Sequence, residues 1–334
     1  METYQKISTI CILILTIFAS ALVLYSTKTI MIPFVFSIFM YLIISPCMHW
    51  IGKRFKLHHS VALIITIALF IMTFIGITAL TSSSVDSFLQ GAGQYKSKVQ
   101  GAATSIEIKA AELGFDISEY DIKGKLQNLP IFDFLKNLTG SMLSIFSNTI
   151  LIIIFTLFLL TGESVSSREI KIIEEIKNSI AKYVSSKLLL SLATGALSYI
   201  VFLIAGVDLA IMFAILTILL NFIPNIGSVI AVILPMPVLL LQFGFGWQTL
   251  MVVISTTIFQ VVIGNILEPK LMGESMDLHP VTILLFLTFW GFIWGIPGMF
   301  LSVPITATLK IIFGKLELTK PIAEILAGRF SSLN

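Results

Sequence analysis

The sequence predicts an all-α, polytopic integral membrane protein. About 7–8 transmembrane helices are expected at about 20 residues per span. Some in the C-terminal half are broken or re-entrant at Gly and Pro, and a small helical insert lies outside the membrane. Three observations carry this. Of 334 residues, 57% are hydrophobic and 12% charged, about half the charge of an ordinary soluble domain. The mean hydropathy is +1.00. The charges are also gathered, leaving residues 7–27, 29–52, 57–85, 137–162, 188–207, 209–267 and 278–309 without Asp, Glu, Lys or Arg.

The first five charge-free stretches hold one span each. Ala19-Ser20-Ala21 resembles a signal-peptide cleavage site. The apolar run before it is long and a second follows at once, so the first stretch reads as an uncleaved span. Residues 209–267 are too many for two simple spans and too few for three. Residues 278–309 are too many for one span and few for two. The organisation that follows is spans 1–3 in 1–81, an extracytoplasmic helical insert in 82–140 and a fourth span in 141–162. A cytoplasmic amphipathic linker (163–187), a C-terminal transmembrane core (188–313) and a cytoplasmic tail (314–334) complete it.

In the insert, Val85, Phe88, Ala92, Tyr95, Val99, Ala102, Ile106, Ala110 and Leu113 recur at steps of three and four, one apolar helical seam continuing the third span. In the linker, Ile173, Ile176, Ile180, Tyr183 and Val184 share a face. Lys171 with Glu175, and Glu174 with Lys177, are spaced to pair along the same helix. With both termini cytoplasmic, 14 of the 21 basic residues fall on the cytoplasmic side, as positive-inside loops require. That distribution accounts for the net charge of +3 and gives no reason to propose nucleic acid as a partner; the lipid bilayer is the partner it implies.

Cys11 and Cys47 fall in spans and form no disulfide framework. His49, His58, His59 and His279 have no metal-ligand spacing. No phosphate loop, nucleotide fingerprint, zinc motif or nucleophile elbow occurs. The sequence therefore suggests no enzyme, no metal and no cofactor.

The two anomalous stretches carry the functional signal. Asn221-Phe222-Ile223-Pro224-Asn225-Ile226-Gly227-Ser228 interrupts the first. Trp290-Gly291-Phe292-Ile293-Trp294-Gly295-Ile296-Pro297-Gly298 interrupts the second. An unpaired backbone polar group in lipid costs several kcal/mol, so spans are interrupted where protein or a wet cavity satisfies the freed groups. Short Gly/Pro-broken segments are the sequence pointer to a transport site; tight turns at the membrane face are the plainer alternative.

Around the breaks, Asn221, Asn225, Gln260 and Asn265 supply amides, and Ser228, Ser255, Thr256 and Thr257 supply hydroxyls. They suit a path for a small polar solute, or glue between helices. Asp208 falls at an outer boundary. Glu268-Pro269-Lys270 ends a span, where Glu268 either pairs with Lys270 or binds a coupling ion. Gly291 and Gly295 match a helix-contact motif, or serve the break.

These motifs resemble the AI-2E transporter family (the PerM-type membrane proteins). Leu220-Asn221-Phe222-Ile223-Pro224-Asn225-Ile226-Gly227-Ser228 is similar to its central signature. Gly264-Asn265-Ile266-Leu267-Glu268-Pro269-Lys270-Leu271-Met272-Gly273 is similar to its second. Gly295-Ile296-Pro297-Gly298-Met299 with Leu301-Ser302-Val303-Pro304 is similar to its third. Asn225 and Ser228 stand where many members carry Tyr and Pro.

The resemblance implies a bacterial inner-membrane exporter of autoinducer-2 or a related small solute, assembled as a homo-oligomer, a pentamer by resemblance. It implies Na⁺(Li⁺)/H⁺ antiport as the alternative; that reading requires a titrating acid on the path, for which Glu268 and Asp208 are the coupling-ion candidates. A non-transporting scaffold or sensor is the third reading. The solute-path candidates are Asn221, Pro224, Asn225, Gly227, Ser228, Gln260, Asn265, Glu268, Lys270, Pro297 and Gly298.

Overall fold

The computed structural model describes residues 2–90, 149–162, 171–272 and 276–329. Every regular element among them is helical. The order is α1 (Glu2–Ser26), α2 (Lys28–Phe55), α3 (His59–Gln90), α4 (Thr149–Gly162), α5 (Lys171–Ala205), α6 (Ala210–Leu220) and α7 (Ile226–Ile233). Then come α8 (Met236–Phe243), α9 (Trp247–Val261), a π-helix (Val262–Leu267), α10 (Glu268–Met272), α11 (Pro280–Trp294), α12 (Ile296–Lys315) and α13 (Lys320–Ala327). The helix of the third span runs on to Gln90, into the start of the insert's seam. The rest of the seam in the insert lies outside the described residues.

Among the described residues, five helical stretches are long and apolar enough to cross a membrane: Lys28–Phe55, Ile172–Ala205, Ile226–Phe243, Trp247–Leu271 and Ile296–Lys315. Shorter apolar helices cover His59–Thr73, Ile150–Gly162, Ala210–Leu220 and Pro280–Trp294. Large apolar side chains stand on the outside, such as Met72, Ile150 and Phe158, each at least 70% exposed. Exposure on that scale fits lipid rather than water. The chain is a multi-pass, all-α membrane protein.

The 59-residue stretch now has a length account. It holds one short helix, α6, then a span made of α7 and α8 joined at Leu234 and Pro235, then a span made of α9 and the π-helix. Eleven residues at 1.5 Å each make α6 about 16 Å long, roughly half the hydrocarbon thickness. The 32-residue stretch holds α11 and α12, hinged at Gly295.

The chain divides into two compact units. The first comprises Met1–Ile67, Asn148–Ser186 and Leu271–Asn334. Its core joins Phe39 and Leu42 of α2, Ile180, Tyr183 and Val184 of α5, Trp290, Ile293 and Trp294 of α11, and Leu301 and Val303 of α12. The Trp294 indole donates to the Leu24 carbonyl at 3.0 Å and ties α1 to α11. Asp277 accepts from Lys310 and Arg329. His279 caps α11 through the Val281 amide and bonds the Leu326 carbonyl through its own N–H. Its role is to dock α13.

The second unit comprises Ala68–Ser147 and Lys187–Lys270. Phe202, Phe213, Met212, Leu239 and Val252 centre its core. Gly206 (φ +74°) turns the chain from α5 into α6. The Phe202 and Phe213 rings meet at 6.0 Å, and Gly195 lies against Ile218 and the Ala214 carbonyl. Those two contacts register α5 and α6 as an antiparallel pair.

The linker boundary expected at 187/188 falls inside one continuous helix, α5. The division between the units falls almost there, between Ser186 and Lys187. Ile180, Tyr183 and Val184 are buried as the apolar face requires, while Ile173 is exposed. Glu175 reaches Lys315, and the Lys177 ammonium stands 5.4 Å from the Tyr41 ring centre.

Candidate functional site

The break after α6 begins with proline chemistry. Pro224 lacks an N–H and disfavours helical dihedrals at Ile223. The chain leaves the helix through short turns: Phe222 N–H bonds Leu219 O, Ile223 N–H bonds Leu220 O, and Gly227 N–H bonds Ile223 O. At the tip, the Ile226 N–H reaches the Pro224 carbonyl across Asn225, whose φ is +59° and ψ −51°. That is the rare, strained γ-turn. The Ser228 hydroxyl donates to the Asn225 carbonyl at 2.9 Å and fastens the turn. Gly227 closes it, because a Cβ there would overlap the Leu220 carbonyl.

The break thus satisfies much of its own backbone. Its side chains are another matter. Asn221 Oδ1 is buried and has no hydrogen-bond partner among the described residues. A buried orphan acceptor costs about 1–3 kcal/mol.

α9 leads into the second feature. Pro269 cannot donate to Asn265 O, and its ring crowds that carbonyl. The helix opens into a π-helix just before it, with the Glu268 N–H bonded five residues back to Ile263 O. The wider π turns hold back the helix rotation. Glu268, eight positions after Gln260, is brought nearer the face that buries Thr256 and Gln260 than an unbroken α-helix would bring it.

Glu268 does not turn to Lys270, which is exposed. It accepts from Lys187 of α5, at 2.5 Å. The Lys187 side chain is 5% exposed, and a lysine that deep is rare without a partner.

The second break lies in the first unit and is built alike. Gly295 takes φ +66° between α11 and α12, and its N–H bonds Gly291 O at 2.8 Å. A Cβ on Gly298 would overlap the Trp290 carbonyl, and one on Gly291 would meet the Met299 side chain. These glycines serve the break.

The candidates therefore fall into groups. Asn221, Pro224, Asn225, Gly227 and Ser228 form one local turn, and α7 packs on α9, the helix bearing Gln260. Asn265, Glu268 and Lys270 follow along the π-helix and α10; Asn265 and Lys270 face outward. Pro297 and Gly298 belong to the other unit. The hydroxyls of Thr256 and Thr257 donate to carbonyls of their own helix, as Ser228 does to its own turn, so all three are committed locally.

Asp208 sits in the turn between α5 and α6. Its N–H donates to Gln242 Oε1, and Gln242 Nε2 donates to its carboxylate at 3.0 Å and to Gly206 O at 2.7 Å. Partial burial pushes its carboxyl above the usual carboxylate range, and the Gln242 bond opposes this. Sequence reasoning missed Lys187, counted as a loop charge, and the π-helix, which Pro269 signals.

Helices broken by self-satisfying turns, with an orphan acceptor and an ion pair on a buried lysine in one unit, are features that suit a membrane transporter. The chain belongs to the AI-2E transporter family: the model described as "AI-2E family transporter" matches residues 10–317. A putative transport protein of Haemophilus influenzae is 30% identical over 302 residues, covering 84% of this chain and 85% of that one. The AI-2 transport protein TqsA of Escherichia coli K12 is 27% identical over 309 residues, 89% of each chain. The putative transport protein YhhT of the same organism is 25% identical over 326 residues, 93% of each.

Proposed function

We propose that this protein moves a small, uncharged polar solute across the bacterial inner membrane, with autoinducer-2 the first candidate. It does so as a homo-oligomer with both termini cytoplasmic. The observation that carries the solute reading is the buried, unpartnered Asn221 Oδ1 at a helix break whose backbone is largely satisfied. A break that needed only to turn the chain would not strand an acceptor there. The named substrate of the TqsA relative supports autoinducer-2 in particular. Cation/proton antiport is the second reading, and Glu268, an acid held by a buried lysine, favours it.

The test is flux in proteoliposomes of purified protein. Autoinducer-2 uptake or release without Na⁺-dependent proton movement is expected. Na⁺-dependent proton flux that Glu268→Gln abolishes, with no movement of autoinducer-2, would replace the first reading by the second.

A further inference from the structure

One face of α5 is polar and buried where a membrane span should be apolar. Lys187 is 4% exposed, Ser191 1%, Thr194 0% and Ser198 1%. They recur at steps of four, three and four, which is one helical stripe. Small polar residues on such a stripe ordinarily glue helices together, and Gly195 does lie against Ile218 of α6.

Glue requires bonds, and Ser191 makes none: its Oγ is buried without a partner among the described residues. Asn221 Oδ1 is the other orphan in this unit. The contacts of Phe202 with Phe213 and of Gly195 with Ile218 set the register of α5 against α6. Counting along the antiparallel pair from them puts Asn221, just past the end of α6, within about one turn of Ser191. Ser191 itself is about one turn from Lys187. There the stripe ends on the ion pair with Glu268.

We propose that this face of α5 is one wall of a water-accessible passage closed at Lys187 and Glu268. Ser191 and Asn221 form its binding position for a neutral hydroxylated solute. The chemistry follows from the atoms. Asn221 Oδ1 only accepts, so the ligand must donate; Ser191 Oγ can donate or accept. A hydroxyl-bearing solute meets both without bringing a charge. The solute part rests on the transport reading above; the passage does not.

The test is thiol labelling in the full-length protein. Cys11 and Cys47 are replaced by Ser, and Ser191→Cys is compared with Leu239→Cys, a position in the apolar core of the same unit. The probe is 2-aminoethyl methanethiosulfonate, which reacts with a hydrated thiolate. Ser191→Cys is expected to label at least about tenfold faster than Leu239→Cys, since a thiol in a dry interior ionises poorly. Equal, slow labelling of the two would overturn the passage. Thr194→Cys and Ser198→Cys repeat the comparison should Ser191→Cys elute aggregated.

Autoinducer-2 is expected to slow the Ser191→Cys reaction. Labelling indifferent to autoinducer-2, in a protein that transports it, would overturn Ser191 as part of the binding position. Failure of the unsubstituted protein to transport it would overturn the transport reading, leaving the labelling rates to decide the passage alone.

Discussion

Lys187 donates to Glu268 across 81 residues of sequence, and the pair ties the start of the buried α5 stripe to the end of the π-helix. Removing Glu268 leaves the Lys187 ammonium, 5% exposed, uncompensated, and a stranded buried charge costs about 3–5 kcal/mol. Glu268→Gln should lower the melting temperature of the purified protein sharply. Adding Lys187→Met should restore most of it, because a neutral pair leaves no buried charge. Thermal melts of the single and double variants check this; no recovery in the double would mean that the lysine stem carries the stability.

The closed turns make their glycines unequal. Gly227→Ala and Gly298→Ala drive a Cβ into the Leu220 and Trp290 carbonyls, and backbone cannot step aside as a side chain can. Both should lose most folded protein on size-exclusion chromatography. Gly264→Ala, with open space around it in the π-helix, should stay within about 1 kcal/mol of the parent.

Asn225 holds a backbone shape that costs about 1–3 kcal/mol for a residue with a Cβ. Asn225→Gly should raise the melting temperature, and Asn225→Val should lower it. An unchanged melting temperature in both would show that the turn relaxes freely.

Asp208 gives a pH signature. Its folded carboxyl holds its proton to higher pH than in the unfolded chain. Between those two values the folded state binds more protons, so stability falls as pH rises through that window. Asp208→Asn should remove this decline, so its advantage in melting temperature should grow with pH across the window and then stay level. Gln242 loses little, because Asn offers the same acceptor oxygen.

The charge-free stretches made the helical class and the two anomalous segments legible, because the cost of charge in lipid is large and local. Asn221, Pro224 and Gly227 were legible for the same reason: amides, prolines and glycines stand out in an apolar run. The depth of Lys187 was not. A lysine at the edge of an apolar stretch has the same sequence signature whether it faces water or a carboxylate 81 positions away. The π-helix was signalled only by Pro269, and a proline marks a disturbed helix without saying whether it kinks, stops or widens. The strain at Asn225 and the local use of the Ser228 hydroxyl depend on dihedral angles that no composition carries. Placing Ser191 on α5 relative to Asn221 at the end of α6 needed the register of two helices.

The most direct test is autoinducer-2 flux through Asn221→Leu. Asn221 has ordinary helical dihedrals (φ −60°, ψ −18°), so leucine fits the backbone. Its Oδ1 bonds nothing among the described residues, so that acceptor's loss breaks no hydrogen bond seen there. A melting temperature equal to or above the parent's, with flux reduced to the level of empty liposomes, is the expected result. Undiminished flux from the same folded protein would contradict a solute path at this break.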